Sequence, residues 1–316
     1  MSFFVGAYAS SPCSQGWDQQ REQIFYNELK RLEHVRGLEH PFLGQHLHAE
    51  DDDWFLANID PKWEFVLTCM PGTMNALGQN PEFGIASIDE DGRKQAIAFL
   101  GKARDAVSKL NAHAGRPVVT AVAIQTAPNQ ERAGASQSAL EKSLAEIVTW
   151  DWQGARLVIE HCDTPRPEQK AAKGFLSIEQ EIDAVVRTNA ENSCNLGVVI
   201  NWGRSVIEQR SVDGAIEHIG LAKQAGILAG LMFSGVSDIE TPYGLWADSH
   251  MPAAPDESVE IGAEGSLMTK AQIQRCLTAA EVNTLDVVGI KLGIRPLDET
   301  IDRRIAYNRS ALSMMI

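Results

Sequence analysis

Apolar, β-branched runs alternate with amphipathic stretches along almost the whole chain. This alternation predicts parallel strands that are joined by crossover helices. The runs that we expect to form strands are 3–10, 41–48, 63–72, 116–126, 155–163, 195–203, 227–235 and 285–293. Eight strand–helix units in series favour a single (β/α)8 TIM barrel over an open sheet, and no GxGxxG or P-loop motif supports a nucleotide-binding sheet.

The segments between the strands predict helices and two long loops. A long helix is expected at 90–114, closed by Gly115, and a final helix at 298–315. Residues 71–89 after the third strand and 236–268 after the seventh look like loops. Long ordered loops in compact domains are usually lids or binding loops. The alternative is a surface loop that only packs on the barrel.

Length and composition suit one barrel domain spanning residues 1–316, with 44% hydrophobic and 22% charged residues. A net charge of −14 without a basic run argues against nucleic-acid binding. No apolar stretch reaches the roughly 18 residues of a membrane span, and the start is unlike a signal peptide. Five scattered cysteines without a CxxC pair favour the cytoplasm. The sequence leaves open whether the protein is a monomer or a homodimer.

Polar residues occupy inward positions near the carboxyl ends of the predicted strands. Alternate residues of a barrel strand point inward, and the last of them reach the mouth. The inward candidates are Tyr8, His46, His48, Thr68, Met70, Gln125, Glu160, Asn201, Ser234 and Lys291. Buried polar groups need partners, so we expect these side chains to face each other, water or a ligand.

Glu160 and Lys291 are the two strongest candidates for catalysis. Glu160 ends an apolar run beside His161 and could act as a general acid or base. Lys291 lies between Gly289 and Gly293, which give it room. Its role could be electrostatic, or it could be a nucleophilic amine with a lowered pKa. The alternative is a structural salt bridge between the two that only closes the barrel mouth.

Three arginines follow strand ends, namely Arg166, Arg204 and Arg295. Together with Lys291 they predict a positive rim that suits an anionic group of a substrate. The alternative is that they pair with nearby acids, which would be Asp163, Asp238 and Asp298.

Two further sets of residues suggest ligand contacts. His46 and His48 form an HxH pair followed by acids at 51–53, which resembles half of a metal site. They could instead bind sugar hydroxyls. In the 236–268 loop, Trp246 and His250 offer flat rings that stack on sugars. The alternative is that Trp246 packs on the outer helices or in a dimer contact.

With these residues, the chain from GAYAS to VVGIKLGIRP resembles the xylose-isomerase-like barrels, the superfamily of sugar isomerases, sugar 3-epimerases and endonuclease IV. The resemblance implies one divalent metal held by Glu, Asp, His and Glu at the ends of the fifth to eighth strands. Here Glu160 is followed by Asn201, Ser234 and Lys291, so three ligands are missing and we expect no metal. A lysine there would instead stabilise an oxyanion. Replacement ligands, if any, would be Asp238, Asp248 and His250.

The expected function is therefore a metal-independent and cofactor-free isomerase, epimerase or lyase acting on a sugar or sugar acid. Glu160 would move the proton, Lys291 would stabilise the oxyanion, and Arg204 and Arg295 would hold an anionic end. The other residues expected to bind substrate are Tyr8, His46, His48, Gln125, His161, Asn201, Trp246 and His250. The alternative is a catalytically silent barrel that binds a sugar-like ligand or regulates a partner.

Overall fold

The computed structural model describes residues 1–316. Eight parallel strands close into a barrel in the order β1 to β8, which confirms the predicted (β/α)8 TIM barrel. The strands are β1 (Phe3–Val5), β2 (Val35–Pro41), β3 (Glu64–Thr68), β4 (Val119–Ile124), β5 (Arg156–Glu160), β6 (Gly197–Asn201), β7 (Leu228–Phe233) and β8 (Val287–Ile290).

Ten α-helices surround the barrel. They are α1 (Gln19–Leu29), α2 (Asp52–Asn58), α3 (Met70–Gln79), α4 (Glu90–Ala114), α5 (Gln137–Ile147), α6 (Ile178–Asn192), α7 (Trp202–Gln209), α8 (Asp213–Gln224), α9 (Lys270–Ala279) and α10 (Ile301–Met314). None of them is both long and apolar enough to cross a lipid bilayer.

The barrel interior changes from apolar to polar along the strands. An apolar cluster inside the barrel contains Phe4, Val66, Ala121, Ala123, Val158, Val199, Ala229, Met232 and Val287. Because side chains alternate along a strand, Glu160 shares the inward face of β5 with Val158, and Asn201 shares that of β6 with Val199. The polar side chains at the mouth therefore rest on an apolar floor, while a cluster of 73 buried residues packs mainly around the barrel.

Capping residues determine where helices α4 and α7 begin, and a glycine determines where α4 ends. The predicted long helix is α4, which is capped by Asp89 accepting from the Gly92 amide at 2.7 Å. It ends at Gly115, whose φ of 65° is in the left-handed region that favours glycine. Helix α7 starts directly after β6, where the Asn201 side chain accepts from the Arg204 amide. This cap places Arg204 in the first turn of α7, at the barrel mouth.

The structure corrects two predicted segments. The second strand is Val35–Pro41, not 41–48, and Glu39 pairs with Val66 of β3 in the sheet register. His46 and His48 therefore lie in the connection to α2 and not on a strand. The predicted loop 71–89 begins with α3, whose first turn contains Pro71. Proline is favoured in the first helical turn because it lacks the N–H that would be unpaired there.

The 236–268 segment contains no helix or strand and lies over the ends of β7 and β8. A backbone bridge joins Gly235 to Met251, and the Trp246 amide donates to the Ser237 carbonyl at 2.8 Å. After β8, the Gly293 amide donates to the His250 carbonyl at 2.6 Å. These bonds bring the middle of the loop to the barrel mouth.

Candidate functional site

Six charged side chains form a continuous chain across the carboxyl end of the barrel. In order, they are Glu39, Lys291, Glu160, Arg204, Asp248 and Lys173. The successive nitrogen–oxygen distances are 2.7, 3.2, 2.9, 3.2 and 3.0 Å. Five of the side chains are at most 5% exposed, and Lys173 is 15% exposed. We call this arrangement the charge chain; its signs alternate and its formal charges sum to zero.

Glu160 lies at the centre of the charge chain and both of its oxygens are occupied. Its Oε1 accepts from Lys291 Nζ and Asn201 Nδ2 at 3.2 and 3.1 Å, and Oε2 accepts from Gln125 Nε2 at 3.2 Å. Arg204 Nη1 lies 2.9 Å away without the angle of a hydrogen bond. Burial would raise the pKa of Glu160, but Arg204 and Lys291 lower it well below its usual range. Glu160 is therefore a fixed anion and a poor proton acceptor.

Glu39 differs from Glu160 because one of its oxygens is free. Its Oε1 lies 2.7 Å from Lys291 Nζ, whereas its buried Oε2 has no hydrogen-bond partner. Gly6 faces this oxygen, and a Cβ built there would lie 3.0 Å from it. Burial raises the pKa of Glu39 to about 7, with a further contribution from Glu160, although Lys291 opposes the rise. Because Glu160 also has Arg204 as a partner, Glu39 is the acid of the two that takes up a proton first.

Lys291 is a permanent cation in this setting. Burial would lower its pKa, but Glu160 and Glu39 outweigh that effect and raise it above its usual range. Its ammonium also lies 5.9 Å from the ring centroid of Tyr8. The structure contains the salt bridge to Glu160 that was the alternative, and the raised pKa of Lys291 disfavours the nucleophilic amine that the sequence allowed.

The expected positive rim is largely neutralised, but by acids other than the expected ones. Arg204 contacts Glu160 and Asp248, and Arg166 Nη2 lies 2.6 Å from Glu208. Asp163 accepts instead from backbone amides, including that of Lys173 at 3.0 Å. Arg295 is half-buried and donates to the Ile294 carbonyl at 3.1 Å. Of the three rim arginines, Arg295 is the one that forms no ion pair.

His161 lies outside the barrel mouth, contrary to its assignment as a substrate ligand. It follows the inward-facing Glu160 and therefore points outward, where it is 0% exposed between the barrel and the helices. Its Nδ1 lies 2.7 Å from Glu181 and its Nε2 lies 3.2 Å from Glu208. Burial would lower the pKa of His161, but these carboxylates raise it to about 10. The residue is a buried cation between two acids.

Three ligand-type atoms of this outer cluster lie within 4.8 Å of one another, from His161, Glu208 and His218. A metal ion needs the lone pair of an imidazole nitrogen. Both nitrogens of His161 face carboxylates, which raise its pKa. Glu208 is also paired with Arg166. The cluster is an ion-pair network that connects β5 to α6 and α7.

The stability of the protein should fall with rising pH because of His161. A group whose pKa is raised on folding stabilises the folded state fully below its unfolded pKa, here about 6.5, and loses this contribution as pH rises through the folded value. We therefore expect the free energy of unfolding from urea titrations to decrease between pH 6.5 and about 10. His161→Gln should remove this decrease, whereas His113→Gln, at an exposed position of α4, should keep it. An equal pH dependence in both variants would contradict the assignment.

A pocket of about 330 Å³ opens beside the carboxyl ends of β1 and β2. Its lining includes Tyr8, Trp17, Glu22, Tyr26, His40 and His48. Glu22 Oε2 accepts from Trp17 Nε1 at 2.7 Å and lies 3.2 Å from His48 Nε2. Tyr8 borders both this pocket and the charge chain, since its ring also lies beside Lys291. The pocket combines aromatic faces with polar groups next to the barrel mouth.

His46 and His48 do not form a metal-binding pair. His48 Nδ1 accepts from the backbone amides of Glu50 and Asp51 at 3.2 and 3.1 Å, so the ring proton is on Nε2. That tautomer donates to Glu22 and is neutral. The His46 side chain is 65% exposed and lies 3.8 Å from Asp52. Of the two histidines, His48 lines the pocket and His46 does not.

The two aromatic residues of the 236–268 loop face different surroundings. Trp246 is half-buried under the guanidinium of Arg210, 4.9 Å from its ring centroid, at the end of α7. This contact matches the packing alternative for Trp246. His250 lies over the charge chain with Nδ1 3.3 Å from Asp248, and burial lowers its pKa to about 3. The loop therefore presents Asp248 and a neutral His250 to the barrel mouth.

The residues at the ends of β5 to β8 do not fit the divalent metal that the family resemblance implies. Glu160 is contacted by the cations of Lys291 and Arg204. The amide oxygen of Asn201 accepts from Ser234 Oγ at 2.9 Å and so is not free. A divalent cation would face two positive groups and one carboxylate, which is an unfavourable donor set.

A larger cleft of about 600 Å³ lies at the opposite, amino-terminal end of the barrel. Its lining includes Glu64, Arg156 and Asp286, which belong to ion pairs that close this end. Active sites of TIM barrels lie at the carboxyl face, where the loops after the strands meet. The charge chain and the pocket beside Tyr8 therefore form the candidate site.

Comparisons with known proteins agree with this fold. Residues 4–307 match the family model described as "Domain of unknown function (DUF4862)". An uncharacterized protein of Salmonella typhimurium is 34% identical over 318 residues, covering 99% of this chain and 96% of that protein.

Two solved structures extend the comparison. A candidate xylose isomerase of Rhodospirillum rubrum has a TM-score of 0.60 at 10% identity, covering 100% of this chain and 98% of the other. A sugar phosphate isomerase/epimerase of Parabacteroides distasonis has a TM-score of 0.53 at 10% identity, covering 99% and 93%. At such identities the likeness shows the fold alone, which is that of the xylose-isomerase-like TIM barrels.

Proposed function

We propose that this chain, which belongs to the family described as a domain of unknown function (DUF4862), is a carbohydrate isomerase or epimerase that transfers a proton without a divalent metal. The observation that carries the proposal is the free, buried Oε2 of Glu39 beside the fixed ammonium of Lys291. The carbohydrate class is supported by the names of structural neighbours, which include a sugar phosphate isomerase/epimerase.

The proposed chemistry requires a proton acceptor and a stabilised oxyanion. Glu39 Oε2 removes a proton from the carbon next to the substrate carbonyl, the electron pair of that C–H bond forms a C=C bond, and the π pair of the carbonyl moves to its oxygen. A pKa near 7 suits a group that must both accept and return a proton. Lys291 stabilises the negative oxygen. When Glu39 returns the proton to the neighbouring carbon and a second proton passes from one substrate oxygen to the other, the product is an isomer. When Glu39 releases its proton to water and the opposite face of the same carbon takes one from water, the product is an epimer.

In this mechanism Glu160 has a positioning role and not the proton-transfer role expected from the sequence. Its oxygens accept from Lys291, Asn201 and Gln125, and Arg204 and Lys291 hold its pKa below the usual range, so it is a poor acceptor for a substrate proton. It instead fixes Lys291 beside Glu39. Gln125 Oε1 is buried without a hydrogen-bond partner, and it can accept a hydrogen bond from a substrate hydroxyl.

The pocket beside Tyr8 supports a sugar as the ligand. Its volume of about 330 Å³ lies in the usual range for small-ligand sites. Trp17 offers a ring for stacking, while Glu22 and His48 supply hydrogen-bonding groups for hydroxyls. We propose that the hydroxylated part of the substrate binds there and that Tyr8 directs its reacting end towards Glu39.

One observation favours the rival function, a silent binding barrel. The charge chain is complete within the protein, and Glu39, Glu160 and Lys291 are at most 1% exposed. Chemistry at Glu39 therefore requires the closed barrel mouth to open. A protein that only binds a ligand would need no such opening.

Proton exchange with solvent distinguishes the two functions. Chelator-treated protein is incubated in D2O with aldoses, ketoses, sugar acids and sugar phosphates, and deuterium at the carbon next to the carbonyl is followed by proton NMR. We expect incorporation with at least one substrate and no effect of added EDTA. Thermal stabilisation by sugars without any exchange would support the silent barrel. Exchange that EDTA abolishes and a divalent metal restores would also overturn the proposal.

A further inference from the structure

Two cations from different parts of the barrel converge on one oxygen of the covering loop. Arg204 Nε lies 3.2 Å and Lys173 Nζ lies 3.0 Å from Oδ2 of Asp248. Arg204 is held in the first turn of α7. Lys173 is held by a hydrogen bond of 3.0 Å from its backbone amide to Asp163 Oδ1. The Asp248 side chain is 5% exposed. Arg204 thus belongs to α7 and Lys173 to the connection between β5 and α6, whereas the anion belongs to the 236–268 loop.

The charge of the barrel part leaves a place for one anion. Without Asp248, the charge chain has the positive groups of Lys291, Arg204 and Lys173 and the negative groups of Glu39 and Glu160, a formal sum of +1. Buried charges are stable only when they are paired. Either Asp248 or an external anionic group must therefore occupy this position.

The segment that carries Asp248 contains residues with unusual backbone angles and unpaired side-chain atoms. Trp246 and His250 on either side of it have φ values of 48° and 56°, which non-glycine residues rarely adopt. Ser249 Oγ and His250 Nδ1 are buried without a hydrogen-bond partner. Strained backbone and unpaired polar groups are typical of ligand clamps and switch segments.

We infer that Asp248 occupies the binding site of an oxyanion, and that a carboxylate or phosphate group of the substrate displaces it from Arg204 and Lys173. The inference rests on the proposed function for the identity of the ligand as a carbohydrate, and it names the substrate class as sugar acids or sugar phosphates. Displacement of Asp248 also releases the loop segment that lies beside Arg204 at the barrel mouth. The anionic group would thereby open the site in which its own substrate reacts.

Removal of the internal anion should strengthen binding of an external one. Affinities for inorganic phosphate, gluconate, glucose 6-phosphate and glucose are measured by calorimetry on the full chain. We expect Asp248→Asn to bind an anionic probe about tenfold or more tightly than the natural chain, because the competing carboxylate is gone. Asp238→Asn, an exposed acid of the same loop, removes an equal charge and should change nothing. Glucose carries no anionic group, so its affinity should increase much less than that of the anionic probes in Asp248→Asn and should be unchanged in Asp238→Asn.

A second measurement uses the natural chain and does not depend on a variant that folds. Hydrogen exchange at the amides of Trp246 and Met251 should become faster when phosphate or the sugar phosphate is added, because the loop is released. Preference for glucose 6-phosphate or for gluconate identifies the phosphate or the carboxylate as the natural group. The inference is wrong if Asp248→Asn binds anions no better than Asp238→Asn and the loop amides stay unchanged.

These outcomes are separate from those of the proposed function. Tighter anion binding without any proton exchange would uphold the displacement of Asp248 and reject the enzyme. Proton exchange with neutral sugars alone, together with unchanged anion affinity, would uphold the enzyme and reject the displacement.

Discussion

Replacement of Lys291 by methionine is expected to lower the free energy of unfolding by about 3–5 kcal/mol at pH 8. Methionine fills similar space but leaves the buried carboxylates of Glu39 and Glu160 without their shared cation. At pH 5 the loss should be smaller, because Glu39 can then take up a proton and become neutral. Turnover should fall by about 10²–10³-fold, since the oxyanion loses its stabilising charge. Urea titrations at both pH values and initial rates measure these effects.

Lys223→Met is the matched control for this prediction. Lys223 also pairs with a carboxylate, Glu281 at 2.9 Å, but it is 40% exposed on the surface. Its replacement should change the free energy of unfolding by no more than about 0.5 kcal/mol at either pH. If Lys291→Met destabilises the protein equally at pH 5 and pH 8, unpaired buried charge is not the cause.

Replacement of Glu39 by glutamine is expected to reduce turnover by about 10²–10⁴-fold while the fold is retained. Glutamine keeps the shape and an oxygen that faces Lys291, but it cannot accept the substrate proton. In the natural chain, turnover should fall as pH drops below about 7, because protonated Glu39 is no longer a base. This decrease should be absent from the residual activity of Glu39→Gln. Rates between pH 5 and 9 test both statements.

Two further variants make this result specific. Glu64→Gln removes a carboxylate that is ion-paired at the amino-terminal end of the barrel, 2.7 Å from Arg36, and should keep normal turnover. Glu160→Gln should lower turnover and move the pH dependence to lower pH without removing it, because Glu160 positions Lys291 and its charge contributes to the raised pKa of Glu39. A normal rate for Glu39→Gln with loss of the pH dependence in Glu160→Gln would return the proton-transfer role to Glu160.

The fold was accessible from the sequence because apolar alternation survives in most of the strands. The exception is β2, where the real strand Val35–Pro41 carries Arg36 and Glu39 among its residues. Arg36 pairs with Glu64 at the amino-terminal end, and Glu39 joins the charge chain. These charges interrupt the apolar alternation by which a strand is recognised, whereas the segment 41–48 contains apolar residues in a strand-like pattern. The error displaced the prediction by several residues and concealed Glu39.

The sequence could predict only those residues of the candidate site whose direction follows from the alternation of side chains along a strand. Alternation alone placed Glu160 and Lys291 inside the barrel, and the structure brings them to 3.2 Å. The same alternation would have excluded His161, which directly follows Glu160. Asp248 and Lys173 lie on irregular connections whose paths no periodicity describes, so their ion pairs could not be foreseen. A signal for Glu39 did exist, because a buried lysine needs carboxylate partners.

Glu39, and not Glu160, is expected to carry a proton near neutral pH in the closed barrel mouth. Infrared spectra of protein labelled with ¹³C-carboxyl glutamate, taken as the difference between the natural chain and Glu39→Gln, measure this directly between pH 5 and 9. We expect a carboxylic-acid C=O band at low pH that is replaced by carboxylate bands with a midpoint near 7. If only carboxylate bands are seen from pH 5 to 9, Glu39 takes up its proton below pH 5, and it is not the proton carrier near neutral pH.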